Sequence, residues 1–319
     1  MASLRKLASA SLIATFILIS IGGLVRATKS GLGCGTDWPH CAGRLVPALE
    51  SRAEIIEFSH RAAASVVVFL LAALLVLAWR RRDEDPRTLR ASMLAFGGVL
   101  FQAVLGAVVV KLELEAQSVV LHLGTALALL SVLVYLRVHL AAHSGGLVEP
   151  ADANASRRAM VAAGGVLVLV LIGSYIGGIS AERNAGFPDW PLVDGRLIPD
   201  LGVEILALHW IHRVLALVAG VLVIRAVLPA IRSRATAPLR AKLAHVAAGA
   251  YLLEVLVGAT NVWTQADQGL NSASITLHLA LGALIWGSLV AMAAVAAPGL
   301  RTASTTAPAG HAALEAGAG

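Results

Sequence analysis

Eight stretches of the chain stay apolar for about twenty residues each, near 7–27, 60–79, 91–111, 119–141, 159–180, 206–228, 241–262 and 275–297. At 1.5 Å of rise per residue, roughly twenty residues cross the ~30 Å hydrocarbon core of a bilayer, where a single stretch can satisfy its own backbone only as a helix. The pattern therefore predicts an all-α integral membrane protein with eight transmembrane helices. Composition agrees: 58% of the residues are hydrophobic and 14% charged, against the roughly 25% charge of a soluble domain.

The first stretch follows Arg5 and Lys6 and has the look of a signal peptide. Its counterpart at 159–180 lies mid-chain, so it is expected to remain as the first helix. Basic residues collect on one side: Arg5 and Lys6; Arg80, Arg81, Arg82, Arg87 and Arg90; Arg157 and Arg158; Arg232, Arg234, Arg240 and Lys242. The positive-inside rule makes that side cytoplasmic, which puts both termini in the cytoplasm and the chain in the plasma membrane as a multi-pass protein. The net charge of +6 follows from the same rule and attracts anionic membrane lipid, so a nucleic-acid partner is not required. The Ala/Gly/Thr-rich tail, 301–319, is expected to be disordered.

The chain also repeats itself. Asp37-Trp38-Pro39 returns as Asp189-Trp190-Pro191, Gly43-Arg44-Leu45-Val46-Pro47 as Gly195-Arg196-Leu197-Ile198-Pro199, and His60-Arg61 as His212-Arg213, always 152 positions later. Gln102 through Gly106 align with Glu254 through Gly258 at the same offset, and Leu121-His122-Leu123 with Leu277-His278-Leu279 at 156. The difference of four implies an insertion in the intervening loop. With four helices per half, the second copy enters the membrane from the same side as the first, so the expected repeat is parallel: two four-helix bundles, 1–145 and 146–300.

Four of the ten histidines obey the repeat: His60, His122, His212 and His278. Each is expected at the outer end of an even-numbered helix, about one turn or less from the surface, at one shared depth. A polar side chain within a span marks function by default, although a histidine bonded to a neighbouring helix is a common alternative for any single one. Zinc usually takes more protein ligands, carboxylate or thiolate among them, whereas haem iron takes one or two axial ligands on opposite faces of a flat ring. Two sites of two histidines suit haem. Gly106, Gly124, Gly258 and Gly282 lie on the relevant helices and offer room for such a ring.

Arg61 and Arg213 follow candidate ligands directly; binding of haem propionates and snorkelling to headgroups both fit them. Glu57 precedes His60 by three residues and so shares its helix face, whereas the second half has His209 at that position. A carboxylate beside one site only suits a division into a reacting site and a resident-cofactor site; an interfacial, solvated Glu is the alternative. Cys34 and Cys41 both fall in the first outer loop, opposite Gly186 and Val193. An oxidising compartment favours their pairing, either as a staple or as an exposed redox pair.

Residues Gly22 through Thr28, Ser30 through Cys34, Asp37-Trp38-Pro39, Cys41, Gly43-Arg44-Leu45 and Glu57 through Arg61, with the later histidines in order, resemble the haem A synthase family. The resemblance runs from about residue 10 to 297 and matches the bacterial type with one cysteine pair in the first outer loop. It implies an eight-helix oxidoreductase that converts a ring methyl of haem O into the formyl group of haem A by successive water-derived hydroxylations. His212 and His278 would ligate a resident haem b and its iron in the C-terminal half. His60 and His122 would hold substrate haem O in the N-terminal half, with Glu57 catalytic beside the reacting edge. Arg61 and Arg213 would contribute to cofactor binding, and Cys34–Cys41 would form a disulfide. Haem O synthase and cytochrome oxidase assembly factors are the partners the resemblance suggests.

Two other classes are open to such a chain. A di-haem cytochrome b would use the same four histidines for electron transfer without needing Glu57. A parallel-repeat transporter would place its polar residues near the bilayer midplane. His40, His139, His143, His245 and His311 lie outside the pattern and read as non-ligands, while His209 can supplement the second site.

Overall fold

The computed structural model describes residues 1–146, 149–182 and 188–300, with Ala181, Glu182 and Leu300 as backbone only. The tail 301–319 with His311, and Gly186, lie outside the described residues. Eight helices account for nearly everything else: α1 Ala2–Ala27, α2 Arg52–Trp79, α3 Pro86–Lys111, α4 Ala116–His143, α5 Ala153–Glu182, α6 Glu204–Arg232, α7 Pro238–Trp263 and α8 Gln268–Ala296. All eight are long and apolar enough to cross a membrane, and the protein is a multi-pass membrane protein. Among the described residues there is no strand, only two isolated bridges in the long loops.

The helix starts are set by local chemistry. Ser51 accepts from the Glu54 N–H at 3.1 Å, Asp267 accepts from Leu270 at 2.9 Å, and Pro86 and Pro238 occupy the first turns of α3 and α7, where no N–H partner is needed. Because these caps precede the apolar stretches, α2 and α8 begin several residues before hydropathy alone suggests. His60, His122, His212 and His278 are the ninth, seventh, ninth and eleventh residues of their helices. They lie about two to three turns inside their helices, whose capped first turns precede the apolar stretches.

Helix boundaries recur with the sequence offset. Arg52 and Glu204, Pro86 and Pro238, and Ala116 and Gln268 open successive pairs of helices 152 residues apart. The α3–α4 and α7–α8 loops, 112–115 and 264–267, are equally long. The four extra residues before His278 therefore lie inside α8, not in the loop. Four residues are close to one helical turn, so this addition moves His278 about 6 Å along the axis while nearly preserving its face.

Helix α1 packs on α2, α2 on α3, α3 on α4, and α4 returns to α1; α5 through α8 form the same ring. The rings meet where α1 and α4 touch α8 and α4 touches α5. The most central span is α8, with 72% of its apolar window buried, against 22–33% for the others. Trp286 on α8 donates its indole N–H to Leu127 O at 3.1 Å and Ser131 Oγ at 2.9 Å, both on α4. Where α8 meets α1, a Cβ on Gly23 would lie 2.9 Å from Leu279.

At the end of the molecule rich in arginine, Asp85 caps α3 by accepting from Arg87 N, Thr88 N and Thr88 Oγ1, and its carboxylate lies 2.9 Å from His139 Nε2 on α4. Burial pushes the Asp85 carboxyl up, but the hydrogen bonds of Thr88 and His139 outweigh it and hold it below the usual carboxylate range. Helix α7 has no side-chain cap of its own. Glu149, from the chain between α4 and α5, serves instead, accepting from Leu239 N and Arg240 N and pairing with the Arg240 guanidinium at 3.4 Å.

Candidate functional site

Each of the four repeated histidines lies against the helix that precedes its own. A Cβ built on Gly22 would lie 3.2 Å from His60 Cε1, on Gly106 3.4 Å from His122 Cε1, on Gly173 3.0 Å from His212 Cε1 and on Gly258 3.2 Å from His278 Cε1. One edge of every imidazole thus rests on bare backbone of α1, α3, α5 or α7. Gly106 and Gly258 face the imidazoles, Gly124 faces Leu171, and Gly282 faces Val170 and Oε1 of Glu254. Gly22 and Gly173 carry no assigned role in the sequence reading; their separation, 151, is one short of the repeat.

His122 lies near His60, and His278 near His212. The Nδ1 atoms of all four are buried without a hydrogen-bond partner. That of His278 alone has a carboxylate close by, with Oε1 of Glu254 on α7 at 3.3 Å. With Nδ1 turned into the protein, Nε2 is the nitrogen each ring can offer to a ligand.

Glu57 is buried, and both its oxygens are engaged. One accepts the Cys34 N–H at 2.7 Å; the other pairs with Arg61 Nη2 at 2.5 Å. Arg61 also donates to Pro39 O at 3.4 Å and His40 O at 2.9 Å. In the second half, where buried His209 replaces Glu57, Arg213 donates to Pro188 O at 3.5 Å, Pro191 O at 3.2 Å and Leu192 O. The arginine after each first histidine therefore latches an Asp-Trp-Pro loop onto its helix, a role that neither sequence-based alternative anticipated.

Cys34 and Cys41 form a disulfide. Both are 1% exposed, so the pair is sealed in the loop, which fits the staple and not the exposed redox pair of the two sequence alternatives. Between Cys41 and Arg44 the chain makes a tight bridge with Ala42 and Gly43 at φ 50° and 76°; Val193 to Arg196 repeat it with Asp194 and Gly195 at 54° and 68°. Two successive left-handed residues are what a type I′ turn demands. Val193, in the place of Cys41, is 2% exposed and fills the same position without the crosslink. Gly33 must be glycine, since a Cβ there would lie 2.3 Å from the backbone of Ala53 at the start of α2.

A second titratable cluster lies at the arginine-rich end. Asp85, His139 and His143 bring ligand atoms within 4.8 Å of one another and could hold a metal ion, though Asp85 already serves as the α3 cap. His139 reads from sequence as a non-ligand with no assigned partner; its engagement with Asp85 depends on a contact between residues 54 positions apart.

An all-helical molecule with eight helices long and apolar enough to cross a membrane is a polytopic membrane protein. Its family follows from comparison with known proteins: the chain belongs to the cytochrome oxidase assembly protein family, whose model matches residues 5–290. It is similar to the heme A synthase of Geobacillus kaustophilus, 28% identical over 276 residues that cover 82% of this chain and 83% of that protein. The heme A synthase of Exiguobacterium sibiricum is 32% identical over 217 residues, 66% and 71% of the two chains. That of Shouchella clausii is 28% identical over 230 residues, 69% and 74%.

Proposed function

We propose that the chain is a haem A synthase, an oxidoreductase that converts a ring methyl of haem O to the formyl group of haem A. The observation that carries this reading is the set of four paired histidines on α2, α4, α6 and α8, each resting on a glycine of the helix before it, in a chain whose relatives bear that name. Imidazoles with Nδ1 turned inward and Nε2 available, two from each ring of helices, would suit a haem iron, which asks for one or two protein ligands, better than a zinc site that takes more. Residues 1–145 and 146–300 then act as two copies of one parallel four-helix unit.

His60 and His122 would hold the substrate haem O, and His212 and His278 would hold haem b. When bound, haem b supplies one-electron transfer. Conversion of methyl to formyl consumes one water and releases four protons and four electrons, which leave to an acceptor outside the chain. Glu57 stands one helical turn before His60, and its pairing with Arg61 keeps a carboxylate beside the substrate site, where it can stabilise positive charge developing on the oxidised methyl carbon or accept a proton from attacking water. Arg61 and Arg213 hold the two Asp-Trp-Pro loops over the sites and retain guanidinium N–H groups for propionates. The arginine-rich end faces the cytoplasm, and the histidine sites lie toward the opposite leaflet of the plasma membrane.

The test is expression with and without a haem O source, followed by purification and haem extraction. Haem A in the first case and bound haem b in both are expected. Bound haem with no haem A would make the chain a di-haem cytochrome b. Glu57→Gln is expected to stop conversion while haem b remains bound; haem A formation by that variant would remove Glu57 from catalysis.

A further inference from the structure

Glu254 is unused by the mechanism above, yet it is the most deeply placed acidic residue within any of the eight helices. It lies nine residues from the nearer end of α7, whereas Glu54, Glu57 and Glu204 lie within the first two turns of theirs. An ionisable side chain at such a place is costly unless it has a partner or a task. Its Oε1 lies 3.3 Å from His278 Nδ1, and its Oε2 is buried with no hydrogen-bond partner.

The first half shows what the same position does without this contact. Helix α3 presents Gln102 and Gly106 toward His122 as α7 presents Glu254 and Gly258 toward His278. Gln102, however, turns away from the ring: its Nε2 donates to Thr125 Oγ1 at 2.5 Å and to the His122 carbonyl at 3.3 Å, and His122 Nδ1 stays without a partner. Three residues after His278 stands Leu281, where Thr125 stands three after His122. With no hydroxyl to hold it back, the carboxylate of Glu254 is left facing the imidazole.

We propose that Glu254 is a positioning residue for the C-terminal haem, accepting the Nδ1–H of His278, fixing the tautomer that directs Nε2 to iron, and making this imidazole the most electron-donating of the four. The proposal rests on the reading of His278 as an iron ligand. A carboxylate behind a ligating histidine orients the ring and raises its basicity, and a negative charge in a low-dielectric site favours the ferric state. The two sites thereby differ electronically through residues on their own helices, with the C-terminal one biased toward a low potential.

The test is a spectroelectrochemical titration of haem b in the purified full-length protein, comparing wild type with Glu254→Gln and Glu254→Asp. The glutamine variant is expected to raise the midpoint so that the ferric-to-ferrous ratio at a fixed potential falls by about tenfold, equivalent to about 59 mV, with the low-spin electron paramagnetic resonance signal shifted. Aspartate, which keeps the charge, is expected to restore most of the wild-type midpoint. If glutamine does not accumulate as folded protein, Glu254→Leu serves in its place and is expected to raise the midpoint equally. An unchanged midpoint in a haem-loaded Gln or Leu variant overturns the proposal, as does aspartate behaving like glutamine. Absence of haem b from the wild type would instead overturn the ligand assignment on which the proposal rests.

Discussion

At the scale of single residues, the contacts that shape the site are those between an imidazole and a backbone. A methyl group added at Gly173 would lie 3.0 Å from His212 Cε1, closer than side-chain carbons settle, so the ring or the α5–α6 spacing must shift. Gly173→Ala is expected to destabilise the protein by about 1–3 kcal/mol and to broaden or diminish the haem b absorbance, measured by thermal melting and visible spectroscopy. Gly177, four residues along α5, meets nothing within 4 Å, and Gly177→Ala is expected to leave both unchanged. The four histidines were legible because their offset betrays them. The loop contacts of Glu57 and Arg61 were not, since those partners are backbone groups more than twenty residues away, and a backbone N–H or carbonyl carries no side-chain signature.

At the scale of elements, caps and loop closures carry the argument. Asp85 satisfies the start of α3 and ties it to α4 through His139, so Asp85→Ala loses a cap and leaves a buried imidazole unpaired. A loss of about 1–3 kcal/mol is expected in thermal or denaturant melts. Because the folded carboxyl sits below its ordinary range, this contribution is full at neutral pH and disappears only as pH falls below about 4; melts at pH 7 and pH 5 are expected to show the same difference between wild type and variant. The disulfide closes a loop with a sequence separation of 7, and the double substitution Cys34→Ser, Cys41→Ser is expected to cost about 2–3 kcal/mol in the stability of that loop, read as faster proteolysis between residues 28 and 51. Helix identity was plain from hydropathy, but helix starts were not. Ser51 and Asp267 extend α2 and α8 beyond their apolar stretches, and an extra turn inside α8 keeps His278 on its face where an insertion in the loop would have been the simpler guess.

At the scale of the whole molecule, two rings of four helices meet along α8, and the contact is anchored by one indole. Trp286→Phe keeps most of the apolar volume and removes both hydrogen bonds to α4; a drop of about 0.6–1.7 kcal/mol is expected, the range measured for interhelical hydrogen bonds in membranes. What the sequence by itself determined was the environment and the pattern: eight spans, because no other unbroken segment satisfies its backbone in hydrocarbon, and four matched histidines, at offsets of 152 and 156, because a repeat relates positions whatever the fold between them. What only the tertiary structure decided was which neighbour each polar group meets. Glu254 and Gln102 occupy the same place in the repeat, yet one faces an imidazole and the other a threonine hydroxyl, because the choice depends on a residue twenty or more positions away on the adjoining helix. Hydrogen bonds act over about 3 Å through space, and the chain alone does not say which residues packing will bring that close.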